Sequence, residues 1–118
     1  MLNLVVVIGH LAKESQVRPL PSGLSLASFD LLVPRDDQSS DTVPVALFDA
    51  PESLTGWSAG QELMVIGRVR RRFFRVAGAT QSRTEVVAGQ VLPLTLREAA
   101  CSALTEASVR LVGVAGEL

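Results

Sequence analysis

A chain of 118 residues can bury one hydrophobic core and is too short for two, so a single ordinary domain is expected. Hydrophobic residues make up 47% and charged residues 19%, a balance that excludes intrinsic disorder, and no apolar run reaches the roughly 18 residues needed to span a bilayer. The net charge of −1 hides a polarised sequence: Val65 to Thr84 carries six arginines and no acid, whereas Asp30 to Asp49 carries five aspartates against Arg35 alone.

Asn3 to Leu11 is almost continuously apolar and β-branched, too short for a typical helix, and reads as a strand buried on both faces. The cluster Arg18-Pro19-Leu20-Pro21-Ser22-Gly23 then breaks the chain into a turn. In Leu24 to Val33 the residues Ala27, Phe29, Leu31 and Val33 alternate with Ser28 and Asp30, the period of a second, half-buried strand. Asp36 to Asp41 is polar and reads as a solvated loop leading to a third strand, Val43 to Phe48, in which Pro44 demands an edge or an unpaired start. Pro51 to Ser58 suits a short helix or turn. Leu63 to Val76 makes a long fourth strand, a turn centres on Gly78, and Arg83 to Leu92 makes a fifth. Beyond Pro93 the period changes: Thr95 and Glu98 form a capping box ahead of Ala99, Ala100, Ala103, Leu104 and Ala107, which predicts a helix from Leu96 to Ala107.

Five strands with a short helix between the third and fourth is the order of the OB barrel. The expected fold is therefore all-β: a five-stranded OB-fold barrel over residues 1–93, with a C-terminal helical extension over residues 94–118.

The fourth strand carries the chemistry. Alternation puts Leu63, Val65, Gly67 and Val69 on one face and Arg68, Arg70, Arg72 and Phe74 on the other. Guanidinium groups in line with a ring suit a groove that tracks a phosphate backbone and offers a stacking platform. An exposed hairpin kept soluble by charge has the same composition, and a bulge would instead bring Arg71 and Phe73 to the groove. Phe48 suits either a stacking role or the core, whereas Trp57, between helix and strand, is expected to pack against the barrel. Lys13, Arg18 and Arg35 are isolated cations near loops, each either a contact or a solvated charge. In the first strand, if Val5, Val7 and Leu11 point inward, alternation leaves Leu4, Val6 and Ile8 outside, which a small monomer would seldom expose together. A homo-oligomer is the expectation.

Other chemistry is thin. Cys101 stands alone, which rules out an internal disulfide, and it has no Cys or His nearby to complete a zinc site. His10 has no neighbouring triad or dyad partner, and Asp36, Asp37 and Asp41 form a polar loop without further metal ligands. No enzyme, cofactor or metal is expected. The chain opens on a strand rather than a basic leader, so a cytoplasmic location is the expectation.

In order and spacing these segments resemble the bacterial single-stranded-DNA-binding (SSB) family from Asn3 to Val91. Asn3-Leu4-Val5-Val6-Val7-Ile8-Gly9-His10-Leu11 is similar to its opening strand, and Val17 to Gly23 to its Arg-, Pro- and Gly-containing turn. Val45-Ala46-Leu47-Phe48 resembles a strand ending in Phe, Gly60 to Val69 the strand before the basic segment, and Arg83 to Ala88 the closing strand. The resemblance implies single-stranded DNA as partner, without strong sequence preference, in replication, repair or recombination. It implies a homotetramer, with a dimer the next choice. Of the aromatics on which the family stacks bases, Phe48 and Phe74 match, while two tryptophans are replaced near Asp37 and Thr42. The family's Gly- and Pro-rich tail has no counterpart in a sequence ending Ala115-Gly116-Glu117-Leu118, so recruitment of partners by such a tip is not implied. A second reading is an OB module that mainly binds proteins, such as a diverged paralogue or a primosome-like accessory factor with weak DNA binding.

Overall fold

The computed structural model describes residues 1–51, 54 and 56–118. In chain order it contains strands β1 (Val5–Leu11), β2 (Gln16–Pro19), β3 (Ser25–Pro34), β4 (Ser40–Phe48), β5 (Glu62–Val76) and β6 (Ala79–Pro93), then helix α1 (Arg97–Ala115). The five strands expected from the periodicity are present, several of them longer than predicted. β2 is a sixth, cut from a stretch read as the start of a turn. It pairs antiparallel with β3 from Gln16↔Ser28 to Pro19↔Ser25, and only Leu20 to Gly23 form the turn itself, closed by Gly23 N donating to Leu20 O at 2.9 Å. All four β2 residues are exposed, so an edge strand of this kind leaves no alternation in the sequence.

β1 pairs antiparallel with β5 along its length and with β3 at His10↔Leu32 and Leu11↔Leu31. β3 and β4 form a hairpin, β4 pairs parallel with β6 at Val45↔Val86 and Ala46↔Val87, and β5 and β6 form a long hairpin. Pairing thus runs β1-β5-β6-β4-β3 and returns to β1. Pro44 lies at the edge of the short parallel stretch, a position that tolerates its missing amide hydrogen.

Inside this ring the alternating residues Leu11, Ala27, Phe29, Leu31, Val45, Leu47, Leu63, Val65, Val86 and Ala88 make one buried cluster with Leu54, and Trp57, Val5 and Val7 pack against it. A second, smaller cluster lies outside the ring: Met64 and Ile66 of β5 are covered by Ala100, Ala103 and Ala107 of α1, with Leu4, Leu92 and Leu94 alongside. No described helix is long and apolar enough to cross a membrane.

Two local expectations change and a third falls partly outside the described residues. The short helix expected over residues 51–58 falls partly on Glu52, Ser53 and Thr55, outside the described residues; beside them Leu54 N donates to Pro51 O and Trp57 N to Leu54 O, each at 3.2 Å. α1 runs on through Gly113 to Ala115 instead of ending at Ala107. Its N-cap is Leu96 and no side chain caps it, so the Thr95/Glu98 box is not formed; what holds the helix is the alanine face on β5.

Candidate nucleic-acid interface

The β5–β6 hairpin turns on Ala77 and Gly78, both with positive φ (50° and 81°), the two-residue turn whose twist matches that of paired strands. The register shifts once, between Ile66↔Gln90 and Gly67↔Ala88, so the extra residue is Gly89 on β6. A Cβ on Gly67 would collide with the Val87 carbonyl oxygen, which explains a glycine where the strands close in. From Gly67 to Val76 the alternation of β5 itself is unbroken, so Arg68, Arg70, Arg72 and Phe74 stay on one face and Arg71 and Phe73 on the other.

Asn3 clamps the start of this segment. Its Nδ2 donates to Val69 O at 2.8 Å, and Val69 N donates to its Oδ1 at 2.9 Å, so one side chain extends the β1–β5 ladder beyond Val5.

Glu85 organises the candidate face. It is the partner of Arg70 across the hairpin and only 7% exposed. Its Oε1 accepts from Arg70 Nη2 at 2.6 Å and lies 3.3 Å from Arg72 Nε. Each of these guanidinium groups also covers a ring: Arg70 Cζ is 5.6 Å from the Phe48 centroid, and Arg72 Cζ is 5.4 Å from that of Phe74. One carboxylate therefore links Phe48, Arg70, Arg72 and Phe74, residues drawn from β4 and β5, into a single assembly. The neighbouring Arg83 opposes Arg72 across the hairpin and approaches Asp30 at 3.8 Å.

Other expected contacts are placed differently. Arg68 is exposed, makes no ion pair among the described residues, and lies in the cross-strand row Gln16–Ser28–Ala46–Val87–Arg68. Arg18 on β2 opposes Leu26, which opposes Phe48, so Arg18 shares the face of Phe48 at the sheet's edge. Lys13 is exposed after β1, bordering a shallow hollow with Asp30 and Arg83. Arg35 is engaged within its own loop, 3.6 Å from Asp37 and 3.4 Å from Asp41, and donates to Ser39 Oγ. In that loop the Ser39 hydroxyl and then its amide donate to Asp37 and hold its carboxyl below the ordinary range. On the opposite face of the hairpin Arg71 donates to Ser82 Oγ at 3.0 and 3.2 Å and covers Phe73, itself 64% exposed.

On β1, Val6 and Ile8 are 41% and 47% exposed, while Leu4 is half-buried beside α1. The helix covers one member of that trio and leaves two open.

Sequence reasoning missed Glu85, Arg83 and the Asn3 clamp. The first two were within reach: a two-residue turn at 77–78 fixes the pairs across the hairpin as far as Gly67↔Ala88, which sets Glu85 against Arg70 and Arg83 against Arg72.

The model of the single-strand binding protein family matches residues 2–94, which leaves α1 outside the match. A protein named single-stranded DNA-binding protein 1 from Streptococcus pyogenes serotype M18 is 34% identical over 97 residues, covering 75% of each chain. A single-stranded DNA-binding protein from Oceanobacillus iheyensis is 32% identical over 100 residues, 77% of this chain but 62% of that relative, and one from Streptococcus pneumoniae serotype 4 is 30% identical over 97 residues, 75% and 62%. With these matches across most of its length, the chain belongs to the single-strand binding protein family.

Proposed function

We propose that this protein binds single-stranded DNA without strong sequence preference, on the outer face shared by β5, β6, β4 and β3. The observation that carries the reading is the linked set Phe48–Arg70–Glu85–Arg72–Phe74: two rings for base stacking and two cations for phosphate, held on one surface. Stacking is tolerant of sequence because every base has a π face, and guanidinium groups serve both phosphates and bases. Arg68 and Arg18 extend the cationic path on the same face, with Lys13 and Arg35 as outlying charges. The relatives' names and the family membership support this partner, and the closed ring of strand pairing supports reading residues 1–93 as an OB barrel with residues 94–118 as an added helix.

The protein acts by coating strands exposed in replication, repair or recombination, in the cytoplasm, and does no catalysis. A homo-oligomer, a tetramer or else a dimer, accounts for the exposed Val6 and Ile8 on β1, next to Leu4 just before it.

Titration with oligo-dT at several salt concentrations tests the reading. For single strands the slope of log K against log salt is about −0.7 per neutralised phosphate, so three to five contacts give roughly −2 to −3.5. A flat response, or no binding at low salt, would instead favour a protein-binding OB module.

A further inference from the structure

An acid in the middle of a cationic face is unexpected on charge alone. Around it stand Arg70, Arg72 and Arg83 on alternate rungs of one hairpin, and so on one face, three like charges that would repel and splay if nothing lay between them. Glu85 is nearly buried, and a buried carboxylate persists only when it is paired and hydrogen-bonded. Here the pairing has a shape. The carboxylate grips the edge of each of two guanidinium groups, and each of those lies over a ring, so both ends of the contact restrict the arginine. A long side chain with many rotamers is thereby held to one orientation. The same contacts fix where Phe48 and Phe74 sit relative to the cations.

We propose that Glu85 is the positioning residue of the strand-binding face, holding Arg70 and Arg72 so that phosphates and stacked bases are met together. This rests on the single-strand reading above. It makes a prediction opposite in sign to bulk electrostatics: removing an acid from a cationic face should tighten binding of a polyanion, whereas loss of the positioning carboxylate weakens binding wherever bases have to stack.

The experiment titrates the 118-residue chain and its Glu85→Gln and Glu85→Asp variants, at one salt concentration, with oligo-dT and with an abasic oligonucleotide of equal length and phosphate count. Thermal melts confirm that each variant is folded. Glu85→Gln is expected to weaken oligo-dT binding about tenfold, within the range of a lost stack, and to leave abasic binding unchanged or tighter. Glu85→Asp keeps the charge but draws the carboxylate back by one methylene, and is expected to weaken oligo-dT binding as well, so the inference remains exposed even if the Gln variant folds poorly. Unchanged or tighter oligo-dT binding by both variants would overturn the proposal and leave Glu85 a screening charge. An equal loss on both oligonucleotides would overturn it in favour of general disruption. Failure of the wild-type protein to bind oligo-dT would overturn the single-strand reading and the proposal with it, whereas wild-type binding with unaffected variants rejects Glu85 alone.

Discussion

The two halves of β5 share one strand and one alternation but are held in different ways. From Leu63 to Ile66 every residue is buried: Leu63 and Val65 enter the core inside the ring, and Met64 and Ile66 lie under the alanines of α1. From Arg68 onward both faces are largely open, and ion pairs, Arg–Phe contacts and the Asn3 clamp take the place of packing. Gly67 and the Gly89 bulge mark the change. The first half is a structural anchor, stabilised by area removed from water; the second, the proposed binding surface, owes its order to a few directional contacts.

The largest expected effect breaks the anchor. Leu63 is fully buried, and Leu63→Ala should cost about 2–5 kcal/mol of stability, read by chemical denaturation. If the halves have separate duties, the variant still binds oligo-dT normally under conditions where it remains folded.

Next in size is the open half, the proposed binding surface. Arg72→Ala should weaken oligo-dT binding by roughly 1.5–3 kcal/mol, the range for a hydrogen bond to a charged group, and make the salt slope shallower by about 0.7. Arg71→Ala removes the same charge from the opposite face and should change both far less. Equal losses would mean that bulk charge alone matters.

The smallest effect tests the junction. Asn3→Ala removes two hydrogen bonds to the Val69 backbone, worth together about 1–2 kcal/mol. Hydrogen exchange should show faster opening around Val69 while the amides of Leu63 to Ile66 keep their protection. Uniform loosening would contradict the division.

The anchor was legible in the sequence because burial leaves a period: Leu63/Val65, the alternation of Ala27, Phe29 and Leu31, and the apolar run of β1 each mark a face. The grouping of the arginines on one face was legible from strand alternation alone, because the bulge fell on β6 and left the alternation of β5 intact. What escaped was of two kinds. Gln16 to Pro19 and the last turns of α1 expose nearly all their side chains, Val109, Leu111 and Val112 among them, so no burial pattern could reveal them. The Glu85 assembly escaped because it is built across strands: the acid lies just beyond the acid-free run that ends at Thr84, and only the hairpin register brings it between Arg70 and Arg72. The Asn3 clamp spans 66 positions of sequence.

Phe73 and Phe74 put the central claim, that single strands are bound on the face of Phe48, Arg70 and Arg72, to its most direct test. They are sequence neighbours of identical chemistry, each under an arginine, on opposite faces of β5, and Phe73 is the more exposed. The affinity of oligo-dT for Phe74→Ala and Phe73→Ala, measured side by side, separates face from composition. Phe74→Ala should lose roughly 1–3 kcal/mol, the worth of a stacked base, with little change in salt slope, and Phe73→Ala should bind nearly as the wild type. A larger loss from Phe73→Ala, or equal losses from both, would contradict the assignment of the binding face.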